Sequence, residues 1–364
     1  MYHSVVSSSP RSVPATISAV LADPPVIARF EHGTAAGTRL VKDIRPGSGT
    51  YGPNSSGVSD LTVVGTTVYF TANDGTTGSE LWKSDGTSGG TQLVKDIQTG
   101  NGYYGPNSSS PSELIGVGGS TLYFSASDGT NGTELWKSDG TSGGTTMVKD
   151  INPGGNSSMY GYGSSSGIAA IGGTVYFAAE DDTNGTELWK SDGTDAGTVL
   201  VKDIIPGAYG SSPSRLTNLN GTLLFSANDG VNGIELWKSD GTSDGTTLVK
   251  NIAASFLSSI PSELTNVGGT LFFRASDSIN GSELWKSDGT AAGTVLVADL
   301  FPGLDESDPQ NLTNVGGTLY FTVGNSLDGF FLIKTEGTAS GTHPLGDFLT
   351  FSNNQSGNGP NSLT

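Results

Sequence analysis

Glu134-Leu135-Trp136-Lys137-Ser138-Asp139-Gly140-Thr141, then Ser142-Gly143-Gly144-Thr145, then Thr146-Met147-Val148-Lys149-Asp150-Ile151, is the stretch that decides the fold. Near-copies begin at Glu80, Glu187, Glu235 and Glu283. Every Trp of the chain holds the same place in a copy: Trp82, Trp136, Trp189, Trp237 and Trp285. A worn copy runs from Phe331 through Lys334 and Gly337 to Thr342. Another runs from Ile27 through Gly33 and Gly37 to Leu40-Val41-Lys42-Asp43-Ile44. The Trp spacings are 54, 53, 48 and 48 residues. Self-similarity at such a period points to a propeller or a solenoid.

One period shows which. Leu114-Ile115-Gly116-Val117 is a short apolar run, and Gly118-Gly119 turns the chain. Thr121 to Ala126 is rich in strand formers. Asp128-Gly129 and Asn131-Gly132 supply the positive φ that hairpins need. Glu134 to Asp139 reads as a third strand, and Thr146 to Ile151 as a fourth. Gly recurs too often for any helix, at about 1 kcal/mol per interior position. Four short antiparallel strands per period make one propeller blade. The reading is an all-β chain: an N-terminal arm, 1–14, and one β-propeller domain, 15–364. Its repeats lie near 61–97, 114–151, 168–204, 216–252, 264–300 and 312–348.

The first strand recurs at Leu61, Leu114, Ile168, Leu216, Leu264 and Leu312, and again at Leu363 within Pro360-Asn361-Ser362-Leu363-Thr364. Ala15 to Ala22, Ile27 to Phe30 and Arg39 to Ile44 can supply three more strands. Pairing 15–44 with 360–364 would close a seventh blade and remove exposed sheet edges; six blades is the alternative. The same complementary ends could instead join neighbouring molecules head-to-tail into filaments.

The formal charge of −18 disfavours a nucleic-acid partner, and all eleven Lys are used inside the repeats, leaving no basic patch. Without Cys there are no disulfides, thiolate metal sites or Cys nucleophiles. No segment approaches the ~18 apolar residues of a membrane span. An extracellular or cell-surface location is the expectation. The mildly apolar 15–22 segment reads either as a weak secretion signal or as a strand.

The Glu-Leu-Trp-Lys-Ser-Asp-Gly-Thr run resembles the signature of the bacterial ELWxxDGT repeat family, over most of 27–350. The resemblance implies a repeat-bearing secreted protein and brings no catalytic residues. Kelch-type propellers are a more distant likeness, carried by Val117-Gly118-Gly119-Ser120-Thr121-Leu122-Tyr123-Phe124. The tight Gly-Gly after their second strand is missing.

Candidate residues follow from where the copies agree and differ. A Trp placed alike in five blades reads as packing, each burying roughly 150–250 Å². The repeated Lys-Asp pairs (Lys149-Asp150, Lys202-Asp203) read as ion pairs or strand-edge hydrogen bonds. The turn motif Asp-x-x-Asn-Gly-x-Glu places hard oxygens at Asp128, Asp181, Asp229 and Asp277, weak candidates for Ca²⁺. The competing reading is that Asp and Asn make turns and Glu caps the strand. The blade-to-blade loops carry Tyr51, Tyr103, Tyr104, Tyr160, Tyr162 and Tyr209, with Phe256 and Phe301 in similar places. Aromatic rings beside amides suit a glycan or protein ligand; the rival is that they pin the loops. The three His (His3, His32, His343) lie in the worn ends and the Arg are scattered, so no catalytic set stands out. The expectation is a non-enzymatic binding module using the tyrosine-bearing face, with filament assembly as the alternative.

Overall fold

Each copy of the repeat folds into a four-stranded antiparallel sheet whose strands pair in chain order, and six such sheets occur among the described residues. The computed structural model describes residues 28–30, 38–49, 52–103, 105–159, 167–254, 256–301, 306–325 and 329–345. These sheets are the blades of a β-propeller. The chain divides into two compact units, 1–110 and 111–364. The first unit holds one blade: Ser59–Val64, Thr67–Asn73, Ser79–Ser84 and Gln92–Lys95. The second holds the other five, spanning 112–149, 169–202, 214–250, 262–298 and 310–344. They are numbered below as the second to sixth blades.

Ala28–Phe30 and Thr38–Leu40 pair as a separate antiparallel ribbon in the first unit. They match the third and fourth strands expected for a closing blade. The other two segments of that expectation, 15–22 and 360–364, lie outside the described residues. The extra length of the early loops folds into small hairpins. Ser48–Gly49 pairs with Gly52–Pro53, and Asn101–Gly102 pairs with Gly105–Pro106.

The second blade shows why the sequence folds this way. Its second strand, Thr121–Ser127, is buried from Leu122 to Ala126 without a break. Such a run belongs to a strand covered on both faces. Phe124 stands opposite Trp136, and Trp136 opposite Met147. Phe124, Phe177, Phe225, Phe273 and Phe321 are fully buried, each worth about 1.5–3 kcal/mol. Trp189, Trp237 and Trp285 pack on the preceding blade. Trp189 shares a core with Val148, Ile151 and Met159, and Trp237 with Tyr176 and Val201. In the sixth blade Ile333 takes the Trp place.

Lysines of the second to fifth blades also reach across to the next blade. Lys137, Lys190, Lys238 and Lys286 donate to the carbonyls of Gly193, Gly241, Gly289 and Gly337. Lys149, Lys202 and Lys250 donate to Thr198, Thr246 and Thr294. These are ties to main-chain carbonyls, and only Lys149 adds an ion pair, with Asp195 at 3.1 Å, among the described residues.

Candidate functional site

Of the six tyrosines expected to form a ligand face, four (Tyr51, Tyr104, Tyr160 and Tyr162) lie outside the described residues. Tyr103 and Tyr209 are 93% and 92% exposed, and they belong to different compact units. Phe256 is exposed, whereas Phe301 packs against the core of the last two blades, so the two do not occupy similar places.

The candidate calcium aspartates are engaged by their own turns. Asp128 Oδ1 accepts the N–H groups of Thr130 and Asn131, both at 2.8 Å, and Oδ2 accepts Asn131 Nδ2 at 2.7 Å. Asp181, Asp229 and Asp277 do the same. Partial burial pushes the carboxyls of Asp128 and Asp229 up, but these donors outweigh it and hold both below the usual carboxylate range.

The motif's glutamate proves to be the polar centre of each of the first five blades, with Phe331 in its place in the sixth. Glu80, Glu134, Glu187, Glu235 and Glu283 are fully buried. Glu134 accepts the N–H of Ile151 at 3.1 Å, the N–H of Ser158 at 2.9 Å and the Ser158 hydroxyl. The same set recurs at Glu187 with Ile205 and Ser211, and at Glu283 with Leu300 and Ser307. The carboxylate thus fastens the loop that leaves one blade for the next, a wider role than capping a strand. Burial pushes Glu134 and Glu283 up to about 7, against the donors' opposing pull, and the charges of Asp150 and Asp299 add to the rise. A Glu in each of the five strong copies, followed by a Ser just ahead of the next first strand, is the sequence signal that could have shown this.

A second polar line lies where the first strands of successive blades run side by side. In the second, fourth, fifth and sixth blades the first strand begins with a bulge built on a non-glycine residue at positive φ: Glu113 at 56°, Arg215 at 57°, Glu263 at 59° and Asn311 at 56°. Such backbone costs on the order of 1–3 kcal/mol each and gathers at functional sites. Here it turns acidic side chains along the edge. Glu113 Oε1 accepts the N–H of Gly167 at 3.1 Å, and Glu263 Oε2 that of Leu312 at 3.4 Å. Amides continue the line. Asn218, Asn266 and Asn314 donate to the carbonyls of Ala170, Asn218 and Asn266, each one blade back. The edge therefore presents carboxylates, a guanidinium and amides on strained, rigid backbone. No cluster of three or more His, Cys, Asp or Glu fit to hold a metal occurs among the described residues.

No family model and no curated protein matches the chain. Among solved structures, a puromycin hydrolase mutant complexed with PGG is similar at 12% identity and TM-score 0.48, over 77% of this chain and 43% of that one. A puromycin-hydrolyzing peptidase of Mycobacterium tuberculosis is similar at 13% identity and TM-score 0.47, over 84% and 46%. A study of two prolyl endopeptidases gives a further match at 11% identity and TM-score 0.34, over 79% and 49%. The chain spans about half the length of these proteins. They are hydrolases. The expectation of a non-enzymatic module that binds glycan or protein through a tyrosine face, with its filament alternative, is corrected on this finding: the structural neighbours are named as hydrolases and peptidases. At this identity the likeness is one of architecture and does not make the chain an enzyme.

Proposed function

We propose that the chain serves a hydrolytic system as a β-propeller that receives substrate along its first-strand edge, without supplying the groups that cleave it. The observation that carries the reading is the line of strained, half-buried Glu113, Arg215, Glu263 and Asn311 beside the Asn218, Asn266 and Asn314 amides. Carboxylates can meet an ammonium end, a guanidinium can meet a carboxylate end, and amides can meet peptide groups between them. A short peptide is the substrate class that combines all three. Side chains held on strained sheet backbone lose little freedom on binding.

Calorimetric titration of unlabelled tri- to hexapeptides into the purified chain tests this. Binding is expected to weaken about 10-fold or more in Glu113→Gln/Glu263→Gln, since one hydrogen bond to a charged group is worth about 1.5–3 kcal/mol. Absence of binding at millimolar peptide would overturn the substrate-receiving role. Cleavage of the peptides by the purified chain, followed by mass spectrometry, would overturn the non-catalytic one.

A further inference from the structure

In the fourth and fifth blades, apolar residues stand on the surface where other blades carry hydroxyls. The turn between second and third strands has Thr76, Thr130 and Thr183 in the first three blades. The fourth has Val231 there and the fifth Ile279, both exposed. The loop joining these two blades adds Phe256, Leu257 and Ile260, all exposed. Main-chain bonds hold that loop between the two turns. The Ile234 carbonyl accepts the N–H groups of Ser259 at 3.0 Å and Ile260 at 3.2 Å, and the Ile234 N–H donates to the Ser258 hydroxyl at 2.9 Å. On the other side Ser276, just ahead of the fifth-blade turn, donates its N–H to the Ser259 carbonyl at 2.9 Å. Ile260 is also strained. Its φ is 48°, a region that a β-branched side chain rarely enters. The equivalent residues, Ser110, Ser212 and Asp308 at 49°, 50° and 43°, are polar. An exposed isoleucine at that angle strains the backbone and buries little, the mark of a surface kept for contact with something else. Three residues on, Glu263 opens the fifth blade's first strand at a φ of 59°. Its Oε2 accepts the Leu312 N–H at 3.4 Å, and Oε1 accepts no hydrogen bond among the described residues.

We propose that this surface selects the peptide, taking a bulky apolar side chain on one of its first two residues while the ammonium end meets Glu263. The inference rests on the peptide reading above and names the substrate class within it. Three residues of chain span at most ~11 Å, so Ile260 and Glu263 are no farther apart than two extended residues and a bulky side chain reach. Charge agrees with an ammonium at Glu263. Lys238, Lys250 and Lys286 are tied to the carbonyls of Gly289, Thr294 and Gly337, and Arg274 is paired with Asp308. Glu263 forms no ion pair among the described residues. Two copies of the chain, each of charge −18, repel one another, which disfavours a second copy as the occupant.

The test titrates tetra-alanine, and tetra-alanine carrying phenylalanine at its first, second or fourth place, into the parent and into Val231→Thr/Ile260→Ser/Ile279→Thr. The three new residues are those that other blades carry at the same places, so the variant should fold. Phenylalanine at the first or second place is expected to tighten binding to the parent about 10-fold or more, and at the fourth place to add nothing. The triple variant should bind all four peptides as the parent binds tetra-alanine. Acetylating the amino end should weaken the parent's binding about 10-fold or more. Equal binding of the four peptides by the parent would overturn this inference alone and leave the peptide-receiving edge standing. No binding of any at millimolar concentration would overturn both. A preference that survives in the triple variant, an equal gain from the fourth place, or no loss on acetylation would also overturn it. So would a dimeric mass in solution that the triple variant loses, which would give the surface to a second copy.

Discussion

Glu134→Gln separates the two opposing effects on the buried carboxylate. The side chain is fully buried and faces three donors from the outgoing loop: the N–H groups of Ile151 and Ser158 and the Ser158 hydroxyl. Three donors favour the charged form, and burial opposes it; burial wins and carries the group from 4.5 to about 7. A carboxyl whose folded pKa is raised contributes stability that is fully present below about 4.5 and is lost as pH rises through about 7. That interval, at about 1.4 kcal/mol per pH unit, amounts to about 3 kcal/mol. The glutamine variant cannot ionise. Its stability should therefore fall less than the parent's between pH 4.5 and 8, by an amount approaching ~3 kcal/mol. At acid pH it should differ from the parent by about 1 kcal/mol, because its amide oxygen still accepts and the Ser158 hydroxyl can turn to accept from the new NH₂. Urea unfolding at half-unit pH steps measures both curves. Parallel curves would refute the reasoning, since they would mean that the donors hold Glu134 ionised throughout. Glu134→Ala removes the acceptor altogether and should cost several kcal/mol at every pH, because three donors are left buried.

Other expectations concern the packing between blades. Gly193 has φ of 87°, and a Cβ there would meet the Tyr123 ring hydroxyl. Gly193→Ala should lower stability by about 2–3 kcal/mol from strain and overlap, and Tyr123→Leu in the same chain should restore part of it; denaturant midpoints of the two variants decide. Trp189→Ala should cost about 3–5 kcal/mol, seen in the same measurement. Thr198 is buried, shares a hydrogen bond with Ser191 at 2.7 Å and donates to the Thr194 carbonyl at 2.7 Å. Thr198→Val keeps the shape and removes both, so a loss of about 1–3 kcal/mol is expected, readable as a lower melting temperature.

The sequence by itself determined the blade. Asp-Gly and Asn-Gly fix turns within four residues, and the buried run from Leu122 to Ala126 fixes a strand within five. Such preferences are local, so they can be read along the chain. Equal spacing also identified the Trp as a building element. The tertiary structure decided what the polar residues do. The two residues that hold the loop to Glu134 come 17 and 24 residues after it; in the first blade the serine comes 29 residues after Glu80. Loop length absorbs that difference, so no fixed spacing reveals the bond. The partners of Lys137 and Lys190, 56 and 51 residues away, are main-chain carbonyls of the next blade, which no side-chain pattern marks. Which carbonyl or carboxylate receives a distant donor depends on how folded segments meet. That is set by packing across the blade and not by the residues on either side in the chain.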